Sequence, residues 1–118
     1  MTVQDIQKIL NATLISEGDD LLMEVKTACG SDMMSDVLAF VKNQSVLLTG
    51  LVNPQVVRTA EMMDMICIVF VRGKEPDESV IELAKSKGIT LMKTGYRMFT
   101  ACGLLYDNGL RGGCEVNG

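Results

Sequence analysis

The stretch Met65-Ile66-Cys67-Ile68-Val69-Phe70-Val71 decides the fold. Seven successive apolar residues without polar alternation describe a strand covered on both faces, as in a parallel sheet held between layers of helix. Residues 46–49 and 89–92 are shorter runs of the same kind. A fourth run, residues 21–27, alternates Met23 and Val25 with Glu24 and Lys26, which suits an edge or half-covered strand. In chain order the four runs end near Gly30, Gly50, Gly73 and Gly95, at intervals of 20, 23 and 22 residues. One strand plus one short helix occupies about that length.

The intervening segments have helical periodicity. One stripe is Met33, Met34, Val37, Leu38 and Val41; a second is Val56, Val57, Ala60 and Met63. A third is Val80, Ile81 and Ala84, and a fourth is Phe99, Cys102, Leu105 and Tyr106. Asn53-Pro54 reads as an N-cap followed by proline at the first helical position. Pro76, Asp77 and Glu78 place proline and negative charge in a first turn, while Lys85, Lys87 and Gly88 close that helix. Residues 2–11 form a further helix with Val3, Ile6 and Leu10 on one face and Thr2 as its cap. Residues 12–16, followed by Glu17-Gly18-Asp19-Asp20, are expected to pair with residues 21–27 as a hairpin.

These elements predict an α/β fold. The expected form is a three-layer sandwich around a mostly parallel sheet of four to five strands, mixed if the first short strand joins it, built from successive strand-Gly-helix units. The chain's 118 residues suit one domain, expected over residues 1–110 with a flexible tail at 111–118.

Composition removes several function classes. Fifteen acidic against eleven basic residues leave a net charge of −4, with no global attraction to nucleic acid or an anionic membrane. There is no histidine, hence neither the usual proton-transfer group at neutral pH nor the commonest metal ligand. Cys29, Cys67, Cys102 and Cys114 form no C-x-x-C pair, so neither a zinc site nor another cofactor is expected. Cys67 reads as a small buried hydrophobe, and Cys114 as the one exposed thiol. Asp5 and Lys8 interrupt the N-terminal apolar residues, and no segment reaches the ~20 apolar residues of a membrane span. A cytoplasmic location follows as an expectation.

The fold predicts where a ligand would sit. The strand C-termini and their glycine loops share one edge of such a sheet, beside helix N-termini. That edge carries Thr49, Gly50 and Asn53 from one loop, Arg72, Gly73 and Lys74 from the next, and Thr94, Gly95 and Arg97 from the third. Up to Asp64 there are four basic and nine acidic residues; beyond it there are seven and six. Four of those seven, Arg72, Lys74, Lys93 and Arg97, fall in the last two loops, giving an acidic protein a locally positive rim. Glycine in turns and charge on surface loops account for the same residues without a ligand.

Motifs for chemistry are absent. No G-x-x-x-x-G-K-[ST] and no G-x-G-x-x-G occurs, which disfavours ATP hydrolysis and standard dinucleotide binding. Asp19-Asp20 suits a turn, and Asp32 with Asp36 suits a helix cap and first turn, better than either suits catalysis. Nine methionines, with Met33, Met34, Met62, Met63 and Met65 around two predicted helices, serve either as core filler or as an adaptable docking surface.

Residues 46–105 resemble the DRTGG domain, a family similar in fold to the non-catalytic N-terminal domain of HPr kinase/phosphorylase. The resemblance is carried by V-L-L-T-G-L-V-N-P-Q-V-V-R-T-A-E, by I-V-F-V-R-G-K-E-P-D-E-S-V-I-E-L-A-K-S-K-G-I-T-L and by M-F-T-A-C-G-L-L, and it takes in the N-terminal helix. It implies a small mixed-sheet domain that often dimerises and serves regulation or ligand sensing. Where the family has Asp-Arg before the helix this chain has Asn53-Pro54, and where it has Thr-Gly-Gly this chain has Val71-Arg72-Gly73. The phosphoryl-transfer domain of the kinase has no counterpart here.

The leading expectation is therefore a non-enzymatic regulatory or sensory domain, a homodimer, that binds a small nucleotide- or phosphate-like anion at the glycine loops. The alternative is an interaction module that docks on a partner enzyme through its Met-rich helices. Kinase-related phosphotransfer stands third, since no P-loop and no histidine supports it.

Overall fold

The computed structural model describes residues 1–40 and 43–113. Among these run five strands, β1 (Thr13–Ser16), β2 (Thr27–Gly30), β3 (Ser45–Thr49), β4 (Met65–Phe70) and β5 (Thr90–Lys93). The helices are α1 (Val3–Ile9), α2 (Met34–Val37), α3 (Pro54–Met62), α4 (Glu78–Ser86) and α5 (Met98–Asp107). The strands form one mixed sheet in the order β1-β5-β4-β3-β2. β2 through β5 are parallel and advance one place at a time, each step carried by a helix, so that α2, α3 and α4 cover one face. α1 and α5 cover the other, completing the expected three layers.

β4 is buried on both sides, as its sequence requires. Ile68 and Phe70 join Leu47 and Leu91 against Val56, Val57 and Ala60 of α3 and Val80 and Ala84 of α4. Cys67 and Val69 join Val46, Leu48 and Met92 against Ile6 of α1, Leu10 just after it, and Ala101 and Leu105 of α5. The β3–β4 register shifts between Ser45 and Val46, whose partners are Met65 and Cys67. Ile66 and Cys67 consequently face the same layer, and the alternation resumes from there. Full burial of each such side chain stabilises the fold by about 1.5–3 kcal/mol, so this strand contributes to both cores at once. Burial pushes the Cys67 thiol up to about 12, so it remains a protonated, inert hydrophobe as expected.

Local chemistry sets the helix ends. Thr2 and Asp5 form a reciprocal capping box on α1, and the Asp77 carboxylate accepts the Val80 amide at the start of α4. Pro54 occupies the first turn of α3 as expected, although the Asn53 side chain makes no capping bond. Pro76 lies before the Asp77 cap, outside the helix. Gly88, with φ +70°, turns the chain out of α4.

Four expectations change. The hairpin does not form: β1 pairs antiparallel with β5 at the far edge of the sheet from β2. Gly18 allows this, because a Cβ there would lie 2.5 Å from the Gly88 carbonyl oxygen and 2.6 Å from the Thr90 nitrogen. Its amide donates to the Thr90 hydroxyl, pinning the turn to the start of β5. The alternating residues 21–26 are not a sheet strand; their backbone bonds to the N-terminal residues, as in Val3 N to Met23 O and Val25 N to Met1 O, and the strand starts at Thr27. The first predicted helix contracts to the single turn of α2, with Val37 its buried residue; Val41 lies outside the described residues. On α5 the inward residues are Ala101 and Leu105, flanked by half-buried Met98 and Cys102, while Phe99 and Tyr106 of the expected stripe face outward.

Of the expected tail, residues 111–113 lie along β2, with the Ala28 amide donating to the Arg111 carbonyl. Residues 114–118, including Cys114, lie outside the described residues. No helix among the described residues is long and apolar enough to cross a membrane. Truncation of Phe70 to alanine opens both the β4 core and its contacts with α3 and α4. A loss of about 3–5 kcal/mol in denaturant unfolding is the expected result.

Candidate functional site

The parallel strands deliver the predicted loops to one edge, and backbone hydrogen bonds lace them together. Val71 N donates to Thr49 O at 3.0 Å, Arg72 N to Tyr96 O at 2.8 Å and Gly73 N to Thr94 O at 2.8 Å. Lys74 N closes a tight turn on Val71 O at 3.2 Å. Both central residues of that turn, Arg72 at φ +60° and Gly73 at φ +67°, are left-handed, as a type I′ turn demands. For Gly73 this is free; for Arg72 it costs roughly 1–2 kcal/mol.

The Arg72 side chain reaches across to the β3 loop. A Cβ added to Gly50 would lie 2.5 Å from its Nη2, so the guanidinium rests directly against the glycine backbone. Beneath it sits a carboxylate that sequence reasoning assigned to a helix cap. Asp32 Oδ1 accepts from Gly50 N at 2.6 Å and from Thr49 Oγ1 at 3.1 Å, and Thr49 Oγ1 in turn accepts from Leu51 N at 3.2 Å. The cap position of α2 belongs to Met33 instead. The available signal was an acidic residue two places after Gly30, in the loop neighbouring Gly50; periodicity gives it no distinction.

The other predicted residues divide by role. Thr94 is buried and structural: its hydroxyl donates to Leu10 O at 2.8 Å and accepts from Tyr96 N at 3.3 Å, fastening the end of α1 to the rim. Gly95 is exposed with open space where a side chain would be. Lys93 is neutralised by an ion pair with Glu75. Arg72, Lys74 and Arg97 are exposed, and none makes an ion pair among the described residues.

Helix ends at this edge are unequal. Asp77 plugs the N-terminus of α4; hydrogen bonds from the Ser79 hydroxyl and the Val80 amide hold its carboxyl below the usual range, so it stays charged. α3 and α5 begin at Asn53 and Arg97 without a side-chain capping bond, leaving first-turn amides for other acceptors. The rim is an open surface. A cavity of 380 Å³ at the opposite edge of the sheet is lined by Asp19, Asp20, Glu61 and Asp64 with Lys87, a setting that repels anions. A cavity of 260 Å³ between β2 and α5 is lined mainly by apolar groups, including Ala28, Leu48 and Leu105. Among the described residues no group of three or more Cys, Asp or Glu side chains is placed to hold a metal ion.

The family model of the DRTGG domain matches residues 5–107. The chain belongs to the DRTGG domain family. Among solved structures, the CBS and DRTGG domains of the regulatory region of Clostridium perfringens pyrophosphatase, in complex with the activator diadenosine tetraphosphate, share its fold. The superposition has a TM-score of 0.75 at 19% identity, over 88% of this chain and 45% of that one. This DRTGG domain therefore spans about half the length of that relative. No curated protein matches it.

Arg72 is the one strained residue of the rim. The backbone at this arginine has a conformation that glycine adopts without strain. Arg72→Gly relieves the strain and is expected to stabilise the domain by up to about 1 kcal/mol in denaturant unfolding. A loss of stability would show instead that the guanidinium is a packing element.

Proposed function

We propose that this DRTGG domain is a non-enzymatic regulatory sensor, working as a homodimer, that binds a small anionic ligand at the rim around Gly50, Arg72 and Arg97. The ligand class is nucleotide- or phosphate-like. The observation that supports this reading is the Arg72 guanidinium, held on a strained backbone over Gly50 without an ion-pair partner among the described residues. Arg72 and Arg97 would supply planar, charge-assisted hydrogen bonds, Lys74 a further counter-charge, and the first-turn amides of α3 and α5 neutral donors. Asp32 competes for two donors, the Gly50 amide and the Thr49 hydroxyl, and sets the weakest affinity at which an outside anion displaces it. The relative solved with diadenosine tetraphosphate makes polyphosphates of nucleosides the first compounds to examine.

Docking on a partner enzyme through methionines is the second reading. Met33 and Met62 are 59% and 57% exposed, whereas Met63 and Met65 are core. Met33 follows β2 at the ligand edge and Met62 ends α3 at the opposite edge, so the exposed pair does not form one patch.

Thermal shift against phosphate, pyrophosphate, mononucleotides and dinucleoside polyphosphates tests the sensor. A ligand at a hundred times its Kd stabilises by ~2.7 kcal/mol, a displacement of several degrees. Arg72→Gly should abolish the ligand-induced shift, and Asp32→Ala should enlarge it. If no anion raises the melting temperature, or if the shift survives Arg72→Gly, the rim is not the site.

A further inference from the structure

The cavity between β2 and α5 lies outside every role assigned so far. Its walls are apolar, Ala28 and Leu48 from the sheet and Leu105 from α5, and its volume is 260 Å³. Sites that enclose a drug-sized ligand span about 300–1,000 Å³, so this one suits a single ring system. Gly30, the last residue of β2, forms part of the lining. A Cβ there would lie 2.6 Å from Cys102 Sγ and 3.2 Å from Met98 Sδ, so two sulfur atoms of α5 rest against the glycine. Soft, polarisable sulfur is a favourable neighbour for an aromatic ring. Burial raises the Cys102 thiol above its usual value, which keeps it neutral.

The backbone of Gly30 supplies a donor and an acceptor beside these apolar walls. β2 is an edge strand, and its polar groups alternate in direction. Ser31 N bonds to Leu48 O of β3 at 3.0 Å, whereas Ala28 N turns outward to Arg111 O at 2.9 Å. Gly30 shares the direction of Ala28. Its N–H and C=O therefore both point out from the sheet edge, and neither has a hydrogen-bond partner among the described residues. One donor beside one acceptor complements the hydrogen-bonding edge of a nucleobase.

The remaining wall is planar and held in place. The Arg111 guanidinium lies 3.8 Å from the centre of the Tyr106 ring, and its Nη1 donates to Tyr106 O at 2.7 Å and Leu110 O at 3.0 Å. No described carboxylate lines the cavity, so a cationic ligand finds no counter-charge. An added peptide strand is a poorer occupant than a ring, because the outward donor of Ala28 is already used and Gly30 alone is left to pair. Gly30 also adjoins the rim: Asp32, two residues on, is seated on Gly50 N, and Met98 directly follows Arg97.

We propose that this cavity is the base subsite of the rim ligand. It takes a nucleobase, a purine for a cavity of this volume, whose polar edge meets the N–H and C=O of Gly30 while the phosphates lie toward Arg97 and Arg72. This rests on the anion reading above and assigns selectivity to the base.

Calorimetric titration of the full chain with ATP, adenosine and tripolyphosphate tests it, with circular dichroism and melting to verify each variant. ATP should bind about tenfold or more tightly than tripolyphosphate, the gain of one stacked base. Ala28→Phe and Cys102→Leu, each of which fills the cavity, should erase that advantage. In isotope-labelled wild type, a measurement that needs no variant, the Gly30 amide resonance should move with ATP and stay in place with tripolyphosphate. If ATP binds no more tightly than tripolyphosphate, if the Gly30 resonance ignores ATP, or if the advantage survives both fillings, the base subsite is wrong and the anion site stands. If neither compound binds, both readings fall. ATP and adenosine binding that moves Gly30 and is indifferent to Arg72→Gly would keep the cavity and remove the rim.

Discussion

Burial of both faces of β4 is the constraint from which the rest of the molecule follows. Its side chains alternate into two separate cores, so neither face tolerates water, and its backbone polar groups must be satisfied by neighbours within the sheet. β3 and β5 supply those partners in parallel, and parallel neighbours require crossovers long enough to hold a helix. Three crossovers on one face then leave α1 and α5 to seal the other. Because all the parallel strands end at the same edge, the loops after β3, β4 and β5 become neighbours, and backbone hydrogen bonds join them into one rim.

That rim is electrostatically unlike the rest of an acidic protein. Its cations have different fates: Lys93 is consumed by Glu75, whereas Arg72, Lys74 and Arg97 project from the surface. The opposite edge gathers Asp19, Asp20, Glu61 and Asp64 around its cavity, so the protein is polar along its strands. An anion approaching at low salt is repelled from one end and attracted to the other. Asp32 adds a carboxylate already seated on the donors a ligand would use, so the same amide and hydroxyl that recommend the site also hold an internal competitor. α5 borders the rim with its first turn, while Arg111 folds back over the Tyr106 ring near its far end.

Much of this was legible in the chain. Continuous apolar runs at β3, β4 and β5, glycines at 20 to 23 residue intervals, and the cap at Thr2 are local signals, and local physics settles them. The positions of the three loops at one edge followed from parallel topology alone. Less legible were the short or ambiguous elements. Residues 33–40 have helical spacing yet include only one turn of α-helix, in which Val37 is the one fully buried side chain and Met34 packs half-buried beside it. On α5 the spacing pointed to a stripe of Phe99, Cys102, Leu105 and Tyr106, whereas packing turned Ala101 and Leu105 inward and left both rings outside, which lets the helix lie close to the sheet.

The sequence by itself determined the α/β class, the central strand, the order of strand and helix, and which loops carry positive charge, since each depends on residues near one another in the chain. Only the tertiary structure decided where β1 pairs, that Asp32 reaches Thr49 and Gly50, and that Arg72 lies over Gly50 in a glycine's conformation. These join residues 17 to 80 positions apart, whose proximity is set by how the layers close around β4 and by backbone approaches that only a glycine permits.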